Sequence, residues 1–153
     1  MKKTLFLITI LINLNATSQS FKKAIKETKL HNYTILKDSL LVSKLSFDEF
    51  QYLKFQENLF LYGKPEIKKE SKNKILNELI LGDYHLFKKY PNDSISFLKY
   101  KTALNMSLSI KDTLLIAESS KKILYTIFKK NLAKNLYKNH LKIYSNYKYD
   151  LNE

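Results

Sequence analysis

Cysteine, tryptophan and arginine are absent from this chain of 153 residues, and glycine and proline occur only twice each. Each absence excludes something. Without cysteine, disulfides contribute nothing and thiolate metal sites cannot form, so apolar burial has to supply the stability. Gly63 and Gly82 alone cannot build a phosphate-cradling loop or a dinucleotide-binding turn, and the chain has no G-x-S-x-G elbow and no H-E-x-x-H pair. So little turn punctuation disfavours β-hairpins, while long stretches of Leu, Lys, Glu, Ala, Gln and Asn favour helices. The composition therefore reads as all-α. The missing arginine bears on partners as well. All 27 basic residues are lysine, against 14 acids, for a net charge of +13. Such a charge invites an anionic partner, but sites that read phosphate or guanine favour the planar arginine fork, which argues against specific nucleic-acid recognition.

What the chain does have begins at its N-terminus. Lys2 and Lys3 precede an apolar run from Leu5 to Leu14, and the small residues of Ala16-Thr17-Ser18 follow. This is the layout of a signal peptide over residues 1–18, and the apolar run is about half the length that a bilayer-spanning helix needs. The expected address is periplasmic or extracellular, with membrane association only through an uncleaved signal. Removing 18 of the 153 residues leaves 135, and losing Lys2 and Lys3 lowers the net charge from +13 to +11. That length suits one domain with its own core. Residues 19–32 read as an N-terminal leader, 33–149 as a domain of helical hairpins, and 150–153 as a tail.

Within that domain, apolar spacing predicts a helix from Tyr33 to Lys44 through Ile35, Leu36, Leu40 and Leu41. Ser46 and Glu49 form a capping box ahead of a helix ending at Gly63-Lys64-Pro65. A long helix is expected from Glu66 to Tyr90, with Ile75, Leu76, Leu79, Ile80, Tyr84 and Phe87 on one stripe. Gly82 inside it costs about 1 kcal/mol against alanine and marks a close helix contact. Asp93 or Ser94 is the expected cap of the next helix, which carries Phe97, Tyr100, Leu104 and Leu108. Asp112 caps another, Asn131 breaks it, and a last helix from Leu132 to about Tyr147 turns Leu136, Tyr137, His140, Leu141 and Tyr144 inward. Short links force such helices to pack as antiparallel neighbours.

Sliding the chain against itself by 40 residues superposes helix on helix and break on break: Ile75 meets Leu115, Glu78 meets Glu118, and Phe97 meets Tyr137. Stacked hairpins of fixed period are the mark of a solenoid. The stretch from Phe97 to Ser120, with Tyr100, Ala103, Leu104, Asp112, Leu115, Ile116 and Ala117, resembles the tetratricopeptide repeat proteins of Bacteroidetes type. The resemblance covers about residues 66–147. It departs from the family at Tyr84 and Leu124, which stand where glycine is usual, and at Ser96, Leu136 and Ile143, which stand where alanine is usual. It implies a short solenoid of antiparallel hairpins that binds a protein or peptide without catalysis, like the exported sensor arm of helix-turn-helix regulators or histidine kinases. By the same resemblance, Lys74, Asn77, Lys121 and Lys122 fall on the concave face and would meet an acidic peptide.

The remaining chemistry is sparse. His31, His85 and His140 are too far apart for a local metal motif, and no pattern requires a cofactor or metal. Asp48 with Glu49, and Glu66 with Glu70, are acidic pairs that capping and nearby lysines explain better than acid-base catalysis. A carboxylate-based hydrolase assembled from separate helices, and a basic surface for anionic glycans or membranes, are the competing readings. Tyr144, Tyr147 and Tyr149 lie among Lys142 and Lys148, a basic-aromatic combination suited to a partner surface. The stretch from Leu141 to Tyr149 is too apolar for a closing cap. That leaves two readings for this end, a homodimer through the helix or a repeat array that continues past Glu153.

Overall fold

Side chains competing for backbone amides set where these helices start. A computed structural model of the chain describes residues 19–67, 71–130 and 134–147. Residues 1–18, Asn131 and the tail lie outside the described residues. Those described are all-α, with no strand among them. The first helix, α1, covers 19–29 and ends in a turn where His31 has φ 58° and the Asn32 amide donates to the Glu27 carbonyl at 3.0 Å. The stretch read as a leader thus places Phe21, Ala24 and Ile25 in the core, each no more than 3% exposed.

One helix was expected over 33–44, but the chain forms a 3-10 turn, Tyr33–Lys37, and then a single helical turn, α2, Ser39–Val42. The cause is Asp38. Its backbone is extended, and its carboxylate accepts from the Leu40 and Leu41 amides at 3.0 and 3.2 Å, which starts a new helix instead of continuing the old one. Helix α3, Phe47–Tyr62, has the capping box expected at Ser46 and Glu49 and ends at Gly63, whose φ of 63° is the left-handed cap that glycine adopts without strain.

Helix α4 spans Lys74–Phe87, shorter than the expected Glu66–Tyr90. Asn73 accepts from the Ile75 and Leu76 amides, and Asp48 accepts from the Lys72 and Asn73 amides at 2.9 and 3.1 Å, holding the segment before the helix in a non-helical path. Asp48 and Glu49 are therefore occupied by backbone amides. Glu66 is exposed in the connecting segment, and Glu70 lies outside the described residues. Asn92, rather than Asp93 or Ser94, caps α5, Asp93–Ile110, by accepting from the Ile95 amide at 3.0 Å. Lys111 and Asp112 alone link α5 to α6, Thr113–Lys130, with Lys111 in the left-handed region at φ 56° and Asp112 capping the Leu115 amide. Helix α7 is Lys134–Tyr147.

Successive helices from α3 to α7 pack on one another. The core runs through these helices with Leu53, Leu76, Leu79, Tyr100, Ile116, Ile123 and Ile127. Gly82 makes the close contact expected of it: a Cβ there would overlap Cε1 and Cδ1 of the Tyr100 ring. On α7 the inward set is smaller than expected. Ile143 packs on the core, whereas Tyr137 and Leu141 are 37% and 41% exposed and the Leu136 side chain lies outside the described residues.

Candidate functional site

Four helices each turn one stripe toward a common cavity of about 320 Å³. The stripes have helical spacing: Ile25, Thr28 and Lys29 on α1; Tyr52, Gln56 and Phe60 on α3; Asp83, Leu86 and Phe87 on α4; and Glu118, Lys121, Lys122 and Tyr125 on α6. Tyr100 of α5 enters from below through the gap that Gly82 leaves, and His31 and Tyr33 line the cavity from the turns after α1.

The floor is a network of buried charge. Asp83 is 2% exposed and saturated: Oδ1 accepts from Tyr100 Oη at 2.6 Å and Lys122 Nζ at 2.9 Å, and Oδ2 accepts from Gln56 Nε2 and Lys122 Nζ, both at 2.6 Å. Lys122 also lies 5.8 and 5.9 Å from the ring centroids of Tyr52 and Tyr100. A charge removed from water needs such multiple contacts, because desolvation costs several kcal/mol per ion. Beside it, Lys29 pairs with Glu118, both largely buried. Burial pulls the Lys29 ammonium down from 10.5 to about 8, against the attraction of Glu118 and with the repulsion of Lys121 and Lys122. Burial first, then Glu118 and Asp83, push the Tyr52 phenol well up, and burial with Asp83 does the same to Tyr100.

The rim is aromatic. His31, Phe60, Phe87 and Tyr125 form a continuous ladder with centroid spacings of 6.3, 6.0 and 6.3 Å, and Phe60 and Tyr125 remain about half exposed at 48% and 50%. Large apolar rings held open to solvent beside a concavity are what a binding surface offers. A second depression, about 490 Å³, lies along α3 and the segment after it, lined by Lys37, Phe50, Lys54, Glu57, Tyr62 and Ile67 among others. It is larger, but its charge pair is the local Lys54 and Glu57 contact, three residues apart on one helix with Lys54 well exposed, and such pairs contribute little. The first cavity carries the chemistry.

Of the residues singled out in the sequence, Lys121 and Lys122 line this cavity, and they differ in kind: Lys122 is sealed into the Asp83 network, while Lys121 is exposed. Lys74 is exposed at the start of α4 and Asn77 is partly buried one turn on, and neither lines the cavity. Tyr144 is partly buried, its phenol raised by burial and then by Glu118, and also stands outside the lining; the Tyr147 side chain lies outside the described residues. The histidines do not converge. Burial lowers His85 and His140, and the Nδ1 of each is enclosed without a hydrogen-bond partner among the described residues. No group of three His, Cys, Asp or Glu side chains among the described residues is placed to hold a metal.

No local motif marks Asp83, Glu118, Lys29 or the aromatic ladder, yet a signal for the charges is there. Asp83 stands on the apolar stripe of α4, between Ile80 and Leu86, and Glu118 and Lys122 stand on that of α6; a charge on a buried stripe requires a partner. Which partner depends on the packing of helices far apart in sequence.

Fold and site together define an all-α protein with an aromatic-rimmed pocket over paired internal charges. No family model, curated protein or solved structure matches the chain. Among the described residues, no helix is long and apolar enough to cross a membrane.

Proposed function

We propose that the protein is an exported, non-enzymatic scaffold that receives a segment of a partner protein or a peptide at the pocket between α1, α3, α4 and α6, within a short array of tetratricopeptide type. The observation that carries this reading is the half-exposed aromatic ladder around a concave, mostly apolar cavity. Apolar side chains of a partner gain area on Phe60, Phe87 and Tyr125, and the exposed Lys121 at the rim favours an acidic neighbour on the same segment. Binding is favoured over hydrolysis because both oxygens of Asp83 already accept two hydrogen bonds each and Glu118, the other acid of the lining, is paired with Lys29, so the two carboxylates do not form an acid-base pair facing a substrate.

The test begins with peptides selected from a random library on the immobilised protein and measured by fluorescence anisotropy. Phe87→Ala and Tyr125→Ala should each weaken binding by about 10-fold or more, as anchors at the centre of an interface do. Lys121→Glu should weaken acidic peptides in particular and flatten their salt dependence. Peptides that bind with undiminished affinity to all three variants would put the contact elsewhere. An anionic glycan or membrane surface, the competing reading, would instead give binding that falls steeply with salt and ignores Phe87.

A further inference from the structure

Burial in an apolar cavity and nearby ammonium groups make a lysine amine a nucleophile, and a carboxylate in reach, although it favours the ammonium, can take and return its proton. Lys29 has all three. It lines the pocket, it is paired with the buried Glu118, and Lys121 and Lys122 stand close enough to repel its charge. We propose that Lys29 is a covalent capture site for a small apolar aldehyde or ketone, its amine condensing with the carbonyl carbon inside the aromatic pocket while Glu118 relays the protons.

The chemistry closes on these two groups. Glu118 takes a proton from the Lys29 ammonium, and the freed nitrogen lone pair forms a C–N bond to the carbonyl carbon as that proton passes to the carbonyl oxygen. The nitrogen then returns a proton to Glu118, which delivers it to the new hydroxyl. Water leaves, and a protonated C=N bond remains. One water is released, the charge on nitrogen is conserved, and no oxidant or reductant is consumed. Ile25, Leu86 and Phe87 supply the apolar walls, and the volume of about 320 Å³ limits the carbonyl compound to a small ring or short chain. Glu118, Lys121 and Lys122 on α6 act on the amine directly, and the other titratable groups of the cavity wall are His31, Tyr33, Tyr52 on α3, Asp83 on α4, Tyr100 on α5 and Tyr125 on α6. The depressed Lys29 value of about 8 leaves on the order of 10% of the amine neutral at pH 7, about two orders of magnitude more than an ordinary lysine.

This goes beyond the peptide reading and needs only that the pocket exists. The probe is benzaldehyde with sodium cyanoborohydride at pH 7, stopped at low conversion and located by peptide mapping. Setting aside the α-amino group, Lys29 should be benzylated well over 100-fold faster than exposed lysines such as Lys101 and Lys129, the larger neutral fraction giving about 100-fold with any aldehyde and the apolar walls adding the rest for benzaldehyde. Glycolaldehyde, which gains nothing from apolar walls, should show a much smaller preference. Lys29→Arg, which keeps a cation against Glu118, should retain the helical circular dichroism and lose the fast adduct. Lys29 reacting no faster than the exposed lysines, or preferred equally by both aldehydes, would overturn the proposal. Because the labelling uses no peptide, its failure leaves peptide binding standing, and the reverse also holds.

Discussion

Lys122 is the lysine whose loss the fold should feel most. It is the only ammonium on Asp83 among the described residues, and the carboxylate behind it is 2% exposed. Lys122→Met strands that charge, with Gln56 and Tyr100 as its remaining donors, and should cost about 3 kcal/mol or more, read as a lower urea midpoint. Gly82→Ala should also destabilise, by about 1–3 kcal/mol, although helix propensity alone favours alanine, because the added methyl meets the Tyr100 ring. A gain in stability there would mean that α4 and α5 approach less closely than described. Lys29 gives a pH signature. The folded protein releases its proton near pH 8, while the unfolded chain keeps it to about 10.5, so between those values the unfolded state binds more protons. Stability from this group is therefore lowest below about pH 8 and rises toward 10.5, by on the order of 3 kcal/mol in full. The Tyr33 phenol, pushed up to about 12 by burial and then Glu57, works the other way above pH 10. Urea midpoints of the protein and of Lys29→Met at pH 7.5 and 9.5 isolate the effect: the protein should gain on the variant as pH rises, and a constant or shrinking difference would contradict the assignment.

Helix ends show how far local sequence reaches. The capping box at Ser46, the left-handed stop at Gly63 and the Asp112 cap are set by residues within a few positions of the amides they satisfy, and all three were legible. The start of α4 was not. Its apolar stripe fades before Ile75, but what keeps the preceding segment out of the helix is Asp48, 24 and 25 residues away. The break at Asp38 was local, yet apolar spacing on both sides of it concealed a cap inside the pattern. The same divide separates the parts of the site: Lys121 and Lys122 could be chosen by analogy of position, whereas the Asp83 and Lys122 pair joins residues 39 apart and the Lys29 and Glu118 pair residues 89 apart. Lys111, a non-glycine in the left-handed cap of α5, offers a check at this level. Lys111→Gly should stabilise by about 0.5–1 kcal/mol in thermal or urea unfolding, since the turn needs no side chain there.

The architecture ties the chain's first described helix to its sixth. The Lys29 and Glu118 pair and the burial of Phe21, Ala24 and Ile25 make α1 a wall of the pocket and a part of the core. Phe21→Ala, which also removes an edge contact with Tyr52 at 6.2 Å, should cost about 3 kcal/mol or more and lower peptide affinity by loosening that wall. The central claim is that the pocket is where a partner docks, and the most direct measurement is amide and side-chain chemical-shift mapping by NMR with a selected peptide. The account predicts that the largest shifts fall on Phe60, Phe87, Lys121 and Tyr125. Shifts gathered instead around Lys74 and Asn77, or along α7, with the pocket unmoved, would contradict it.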